Sequence, residues 1–230
     1  MDRERTAKLL GSTRLFAGLD DRTLRTIADQ ANERVFRPGA LIFYQGDPGD
    51  AFYVVASGLV KIFLSSGRGD EMVVATLRPP DGLGEIALLD DGPRSASAQA
   101  VEETTLVAFA RSTFLQLIHQ DAGIADALLR STGALFRRTT AHVADLVFLD
   151  LEGRVAKLLL EMAEERGSEA ADGIALELGI TQSDLASMVG GSRQSVNQIL
   201  HALEARGFLE LGGRSVVIKN RDALRRRAGL

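Results

Sequence analysis

The chain has 230 residues, 45% of them hydrophobic and 25% charged, with a net charge of −4, a length that fits one large domain or two small ones. It has no cysteine, which excludes disulfides, Cys-ligated zinc, iron–sulfur clusters and a Cys nucleophile, and His119, His142 and His201 do not cluster into a metal site. No apolar run reaches the roughly 18–20 residues of a membrane span, and the polar start Met1-Asp2-Arg3-Glu4-Arg5 leads into no signal core, so a soluble, cytoplasmic protein is expected.

After a short helical lead over about 5–30, the chain from Val35 to Ala110 predicts strands. Apolar runs (Leu41–Tyr44, Phe52–Val55, Leu59–Leu64, Met72–Thr76, Thr105–Phe109) alternate with Gly/Pro turn chemistry, as at Gly46-Asp47-Pro48-Gly49-Asp50 and Ser66-Gly67-Arg68-Gly69-Asp70. Many short strands separated this way indicate a sandwich or barrel-like roll. From Asp121 to Leu149 proline disappears and a helical period takes over. Ala125, Leu128, Thr132, Leu135, Thr139, His142, Leu146 and Leu149 recur in steps of three and four, the pattern of a dimer seam. A long helix lying against its own domain is the alternative.

Asp150 is placed to cap a new helix from Leu151 to about Glu165. The polar stretch 167–173 reads as a surface loop and 174–178 as a strand. Thr181-Gln182-Ser183-Asp184 has the form of a capping box. The following helix ends at Gly190-Gly191, which supply the positive-φ position of a tight inter-helix turn. Ser192 then caps a helix that buries Val196, Ile199, Leu200 and Leu203. Its other face presents Arg193, Gln194, Asn197, Gln198 and His201, with Ser195 in the first turn. A hairpin with a Gly-Gly turn (Phe208–Leu211, then Arg214–Ile218) follows, so the predicted unit is a winged helix-turn-helix. An αα-hairpin with a polar outer face is the plainer reading. In a recognition helix the N-terminal side chains reach base edges, Arg pairing with guanine and Gln with adenine.

Charge is uneven. Eight Lys/Arg against three acids follow Gly191, leaving +5 there and −9 in the rest of the chain. A basic end on an acidic body fits a polyanion partner; a basic solvated tail fits equally well.

The densest motif is Gly84-Glu85-Ile86-Ala87-Leu88-Leu89 followed by Pro93-Arg94-Ser95-Ala96. Glycine allows close backbone approach, a short helical turn offers N–H groups, Arg94 suits a phosphate and Ser95 adds donors. Glu85 suits a ribose hydroxyl, or pairs with Arg94 in an empty site. On residue types alone a surface Glu–Arg pair flanking a turn remains open.

This motif resembles the phosphate-binding cassette of the cyclic AMP receptor protein (CRP/FNR) family. The resemblance extends to Phe148-Leu149-Asp150, Gly153-Arg154-Val155-Ala156 and the turn Val189-Gly190 before Ser192-Arg193. It implies an α+β chain: an N-terminal jelly-roll type β-roll binding cyclic nucleotide (14–120), a dimerisation helix (121–149) and a C-terminal winged helix-turn-helix (150–230). It also implies that Gly84, Glu85, Ile86, Arg94 and Ser95 hold the ribose and cyclic phosphate. Thr139 and Thr140 would add adenine contacts from the long helices of a homodimer, and Thr181, Ser192, Arg193, Gln194, Ser195, Asn197 and Gln198 would meet DNA. Gln194 and Gln198 depart from the Glu and basic residue frequent in the family, so the operator is expected to depart from its usual half-site.

The implied protein is no enzyme but a cyclic-AMP-responsive regulator of palindromic operators, with double-stranded DNA and RNA polymerase as partners. A ligand-independent or weakly coupled regulator of the same fold is the alternative. An enzyme governed by a cyclic-nucleotide domain finds no nucleophile–base pair, metal spacing or P-loop in the sequence.

Overall fold

The computed structural model describes residues 2–67, 69–213 and 215–230, so Arg68 of the predicted turn and Arg214 of the predicted wing lie outside the described residues. The chain forms two compact units, Met1–Arg137 and Arg138–Leu230.

In the first unit, α1 (Arg3–Ser12) and α2 (Asp21–Ala28) start at Asp2 and Asp20, whose side chains accept from Arg5 and Thr23 N–H groups. The strands β1 (Asn32–Phe36), β2 (Leu41–Phe43), β3 (Ala51–Ser57), β4 (Val60–Ser65), β5 (Glu71–Leu77), β6 (Gly82–Leu83), β7 (Ser97–Ala100) and β8 (Thr104–Ala110) follow, with the short helix α3 (Ile86–Leu89) between β6 and β7. They form two antiparallel four-stranded sheets, ordered β1-β8-β3-β6 and β2-β7-β4-β5, the expected roll.

The unbroken apolar run of β3 follows from its position between two cores. Successive side chains of a strand point to opposite faces. Ala51, Tyr53 and Val55 join the roll cluster with Val60, Leu83, Ala98 and Leu106, while Phe52 and Val54 join Leu10, Phe16, Ile27, Phe109, Phe114 and Leu128. Phe52 and Phe114 stack with centroids 4.5 Å apart. At about 1.5–3 kcal/mol per fully buried large apolar side chain, the second cluster anchors the helices to the roll.

Two helices close the unit's order: α4 (Arg111–Gln120) and the 27-residue α5 (Ala122–Phe148). Ile124 and Leu128 of α5 are buried in the helical core. Beyond them the exposed apolar side chains are Leu129, Phe136, Val143 and Val147, with 71%, 72%, 54% and 69% of their surface accessible. The free seam is therefore rotated from the predicted one. Thr132, Thr139 and Leu146 remain exposed, but Leu128 turns inward and Leu135 and His142 are half-buried, while Leu129, Phe136 and Val143 form the heptad-spaced ridge. The helix's own core claims one face, and the leftover apolar face defines the seam.

In the second unit α5 ends and α6 (Leu151–Arg166) begins at Asp150, whose carboxylate accepts from Gly153 N at 2.7 Å. Lys157 of α6 clasps Asp145 with two 2.6 Å bonds. The predicted loop over 167–173 is instead a tight hairpin: β9 (Ser168–Ala170) pairs antiparallel with β10 (Gly173–Glu177). Polar composition hid β9, an exposed edge strand with no apolar face to reveal it. Next come α7 (Gln182–Val189), α8 (Arg193–Ala205), β11 (Leu209–Gly212), β12 (Ser215–Ile218) and α9 (Arg221–Arg227), with the sheet ordered β11-β12-β10-β9. This is a winged helix-turn-helix extended by a C-terminal helix. No helix among the described residues is long and apolar enough to cross a membrane.

The basic end is largely consumed by ion pairs. Arg227 donates to Glu152 at 2.7 Å and to Asp150 at 2.9 Å, Arg206 to Glu152 at 2.7 Å, and Arg221 to Glu164 at 2.6 Å. Lys219 lies between Glu210 and Asp172. These cations fasten α9, the end of α8 and the sheet, so the charge asymmetry is mainly structural.

The Arg227 bond, aided by the charges of Arg227 and Arg206, holds the Glu152 carboxyl below its ordinary value of 4.5 against the opposing effect of burial. A depressed folded value contributes stability above the unfolded value that is lost as pH falls through the folded one. Glu152→Gln is thus expected to be less stable than wild type at pH 7, with the gap closing as pH drops below 4.5. Urea midpoints across that range check it; a pH-independent gap would contradict it.

Candidate functional site

The cassette is built where β6, α3 and the loop between β2 and β3 meet. Gly84 has φ 90°, and a Cβ there would stand 2.5 Å from Arg94 Nη1 and 3.1 Å from the Ala51 carbonyl, so only glycine admits the guanidinium. Gly49 lies so close to α3 that a Cβ would meet Ala87 Cβ at 2.6 Å. Backbone bonds from Gly46 N to Arg94 O (2.9 Å) and Arg94 N to Asp47 O (2.8 Å) fix the loop to the segment carrying the arginine.

Arg94 is the most constrained charged group of the unit, with 2% of its surface accessible. Nη1 donates to Gly84 O at 2.9 Å, while Nη2 donates to Ala51 O at 2.8 Å and to Asp50 Oδ1 at 3.1 Å. The guanidinium carbon lies 4.3 Å from the Phe43 ring centroid and 5.8 Å from that of Tyr53. Burial first, and then the Asp50 charge, push the Tyr53 phenol above its usual value against the pull of Arg34 and Arg94. It stays a neutral platform, which Arg34 reaches from 3.5 Å.

The carboxylate described beside Arg94 is Asp50, where residue types had offered Glu85 for the empty site. Asp50 was legible only as turn chemistry, because its partner lies 44 residues away. Arg94 Nε is buried with no hydrogen-bond partner. A buried unsatisfied donor costs on the order of 1–3 kcal/mol, and an anionic oxygen would satisfy it. Glu85, just before α3, is half-buried and Ser95 is exposed. Gly84, Glu85, Ile86, Arg94 and Ser95 thus lie on one continuous segment of the first unit, with a fork, an orphaned donor and the first N–H groups of α3 suited to a phosphate ester. Thr139 and Thr140 are exposed on α5 in the second unit.

In the second unit Thr181 caps α7 with a full capping box, accepting from Asp184 N while Asp184 accepts from Thr181 N. Gly190 ends α7 in the left-handed region (φ 65°, ψ 41°), and Ser192 starts α8 by accepting from Ser195 N at 3.0 Å. Val196, Leu200 and Leu203 are buried and Ile199 half-buried; Arg193, Gln194, Gln198 and His201 are exposed. Asn197 is half-buried, its Nδ2 donating to Gln182 Oε1 of α7 at 3.3 Å, so it does not stand open beside Gln194 and Gln198 as the helical face implied. Glu204 accepts from Leu211 N at 2.9 Å and ties the end of α8 to the wing.

These two units define the class: a cyclic nucleotide-binding domain matches residues 33–121 and a Crp-like helix-turn-helix domain residues 153–227. The chain is 34% identical over 221 residues to the CRP-like cAMP-activated global transcriptional regulator of Mycobacterium tuberculosis, covering 96% of this chain and 99% of that one. It is 36% identical over 205 residues to the Cyclic AMP receptor protein of Thermus thermophilus, covering 89% and 92%. Among solved structures, FixK2 from Bradyrhizobium japonicum superposes with a TM-score of 0.75 at 26% identity, covering 85% of this chain and 96% of that one. The chain belongs to the CRP/FNR family, whose members are DNA-binding transcriptional regulators and not enzymes.

Proposed function

We propose that the protein is a cyclic-AMP-responsive transcriptional regulator that acts in the cytoplasm as a homodimer on palindromic operators. The carrying observation is the buried Arg94 with its orphaned Nε beside Gly84, together with relatives described as cAMP-activated. In this reading Arg94 and Ser95 hold the cyclic phosphate and Glu85 the ribose. Gly84 and Ile86 supply close backbone, and Thr139 and Thr140 contribute hydroxyls to the adenine. The ridge of Leu129, Phe136 and Val143 packs on its copy in the partner subunit. Two α8 helices then stand about one DNA turn, roughly 34 Å, apart. Arg193, Gln194, Asn197 and Gln198 read bases, while Thr181, Ser192 and Ser195 meet the backbone. RNA polymerase is the partner such a regulator would engage.

The ligand acts by binding one arrangement of the two units better than the other. The exposed Asp50 carboxylate, already on Arg94, supports a second reading: a protein that binds DNA with weak dependence on ligand, because an internal anion occupies part of the phosphate's place. Calorimetric titration with cyclic AMP and cyclic GMP tests the pocket. Saturable one-per-subunit binding of cyclic AMP, tighter than of cyclic GMP, is expected; no heat with either would overturn the assignment.

A further inference from the structure

Asn197 and Gln182 form a side-chain bond between the two helices of the helix-turn-helix, and the reading of α8 as the base-contacting helix gives it a consequence for specificity. Asn197 follows Arg193 by one helical turn, so the two share a face and stand about 6 Å apart along the axis. That places Asn197 within reach of the base pairs next to the one Arg193 contacts. An unrestrained asparagine reads adenine with both ends of its amide, accepting from N6 and donating to N7. Here Nδ2 is turned to Gln182 Oε1, and no other hydrogen bond engages Asn197 among the described residues. The free end of the amide is therefore its oxygen.

We propose that Gln182 is a positioning residue that makes Asn197 an acceptor-only reader, selecting adenine or cytosine, the two bases with a major-groove amino group. Removing the Gln182 acceptor releases Nδ2 and restores the two-ended preference for adenine. Gln182 itself does not contact the base; it fixes the plane of the Asn197 amide from α7, where Thr181 and Asp184 lock the first turn.

The test is selection of sites from a randomised duplex library by the full-length wild type, Gln182→Met and Gln182→Glu, each with saturating cyclic AMP. Wild type is expected to enrich adenine and cytosine about equally at one position beside the Arg193-dependent guanine. Gln182→Met is expected to favour adenine over cytosine there by roughly tenfold. Gln182→Glu still accepts from Nδ2, so it keeps the wild-type preference even if its charge weakens binding to every sequence. Identical base preferences in wild type and Gln182→Met, with or without a uniform loss of affinity, would overturn the proposal. If Arg193→Ala also leaves every selected position unchanged, the assignment of α8 as the reading helix fails with it.

Discussion

Arg94→Ala is expected to abolish cyclic-nucleotide binding and to destabilise the first unit in the same step. The guanidinium is buried and donates to Gly84 O, Ala51 O and Asp50; removing it strands two carbonyls beside a cavity the size of the side chain. Unsatisfied buried groups cost about 1–3 kcal/mol each, so a loss of about 3–5 kcal/mol is expected, at the large end for single substitutions. Ser95→Ala separates the two effects. Ser95 is exposed, so its loss is expected to leave the urea midpoint unchanged while weakening cyclic AMP roughly five- to tenfold, the worth of one hydrogen bond to a charged group. Calorimetry and urea unfolding on both variants check this. An Arg94→Ala protein that binds cyclic AMP normally would remove the pocket from the account.

Phe136→Asp is expected to turn the homodimer into a monomer and to lower operator affinity more than a hundredfold. Phe136 has 72% of its surface accessible at the centre of the ridge from Leu129 to Val143. A two-fold axis through this ridge brings each changed residue to its copy. The substitution then loses about 1.5–3 kcal/mol of apolar burial per subunit and sets two carboxylates against each other in a desolvated seam. A monomer reads one half-site and forfeits the second. Sedimentation at micromolar concentration and anisotropy with a labelled operator report both losses. If Phe136 merely faces water, the variant stays as folded, as associated and as active as wild type, and the dimer is built elsewhere.

Most of the local architecture was legible in the sequence because its signals are local. Asp150, Thr181 with Asp184, Gly190 and Ser192 each act within four residues, and each caps or ends a helix where chemistry placed it. The Gly/Pro punctuation likewise delimits β2 to β5. Composition failed where an element has no apolar face, as in β9, or only alanines to bury, as in β7, where Ala98 and Ala100 are fully buried. The seam of α5 shows a different limit. A three-four period identifies a helix, yet Leu128 and Leu129 compete for the inward direction, and only the core around Phe16 and Phe109 decides between them.

The candidate site divides the same way. Gly84, Glu85, Arg94 and Ser95 stand in one short motif and were readable. Asp50, Phe43 and Tyr53, which hold Arg94, are brought in by sheet pairing across tens of residues. The basic end misled because the partners of Arg221 and Arg227 lie 57 and 75–77 residues earlier, so a count of charges could not see them neutralised.

The central claim is that the nucleotide site governs the DNA-binding helix, and one measurement reaches it directly: operator affinity of the full-length protein at fixed salt, with and without saturating cyclic AMP. The account predicts at least roughly fivefold tighter DNA binding with cyclic AMP, and tightening of cyclic AMP by the same factor when operator is present, because such coupling is reciprocal. Equal operator affinity in both conditions would contradict it, leaving a DNA-binding protein with an uncoupled pocket.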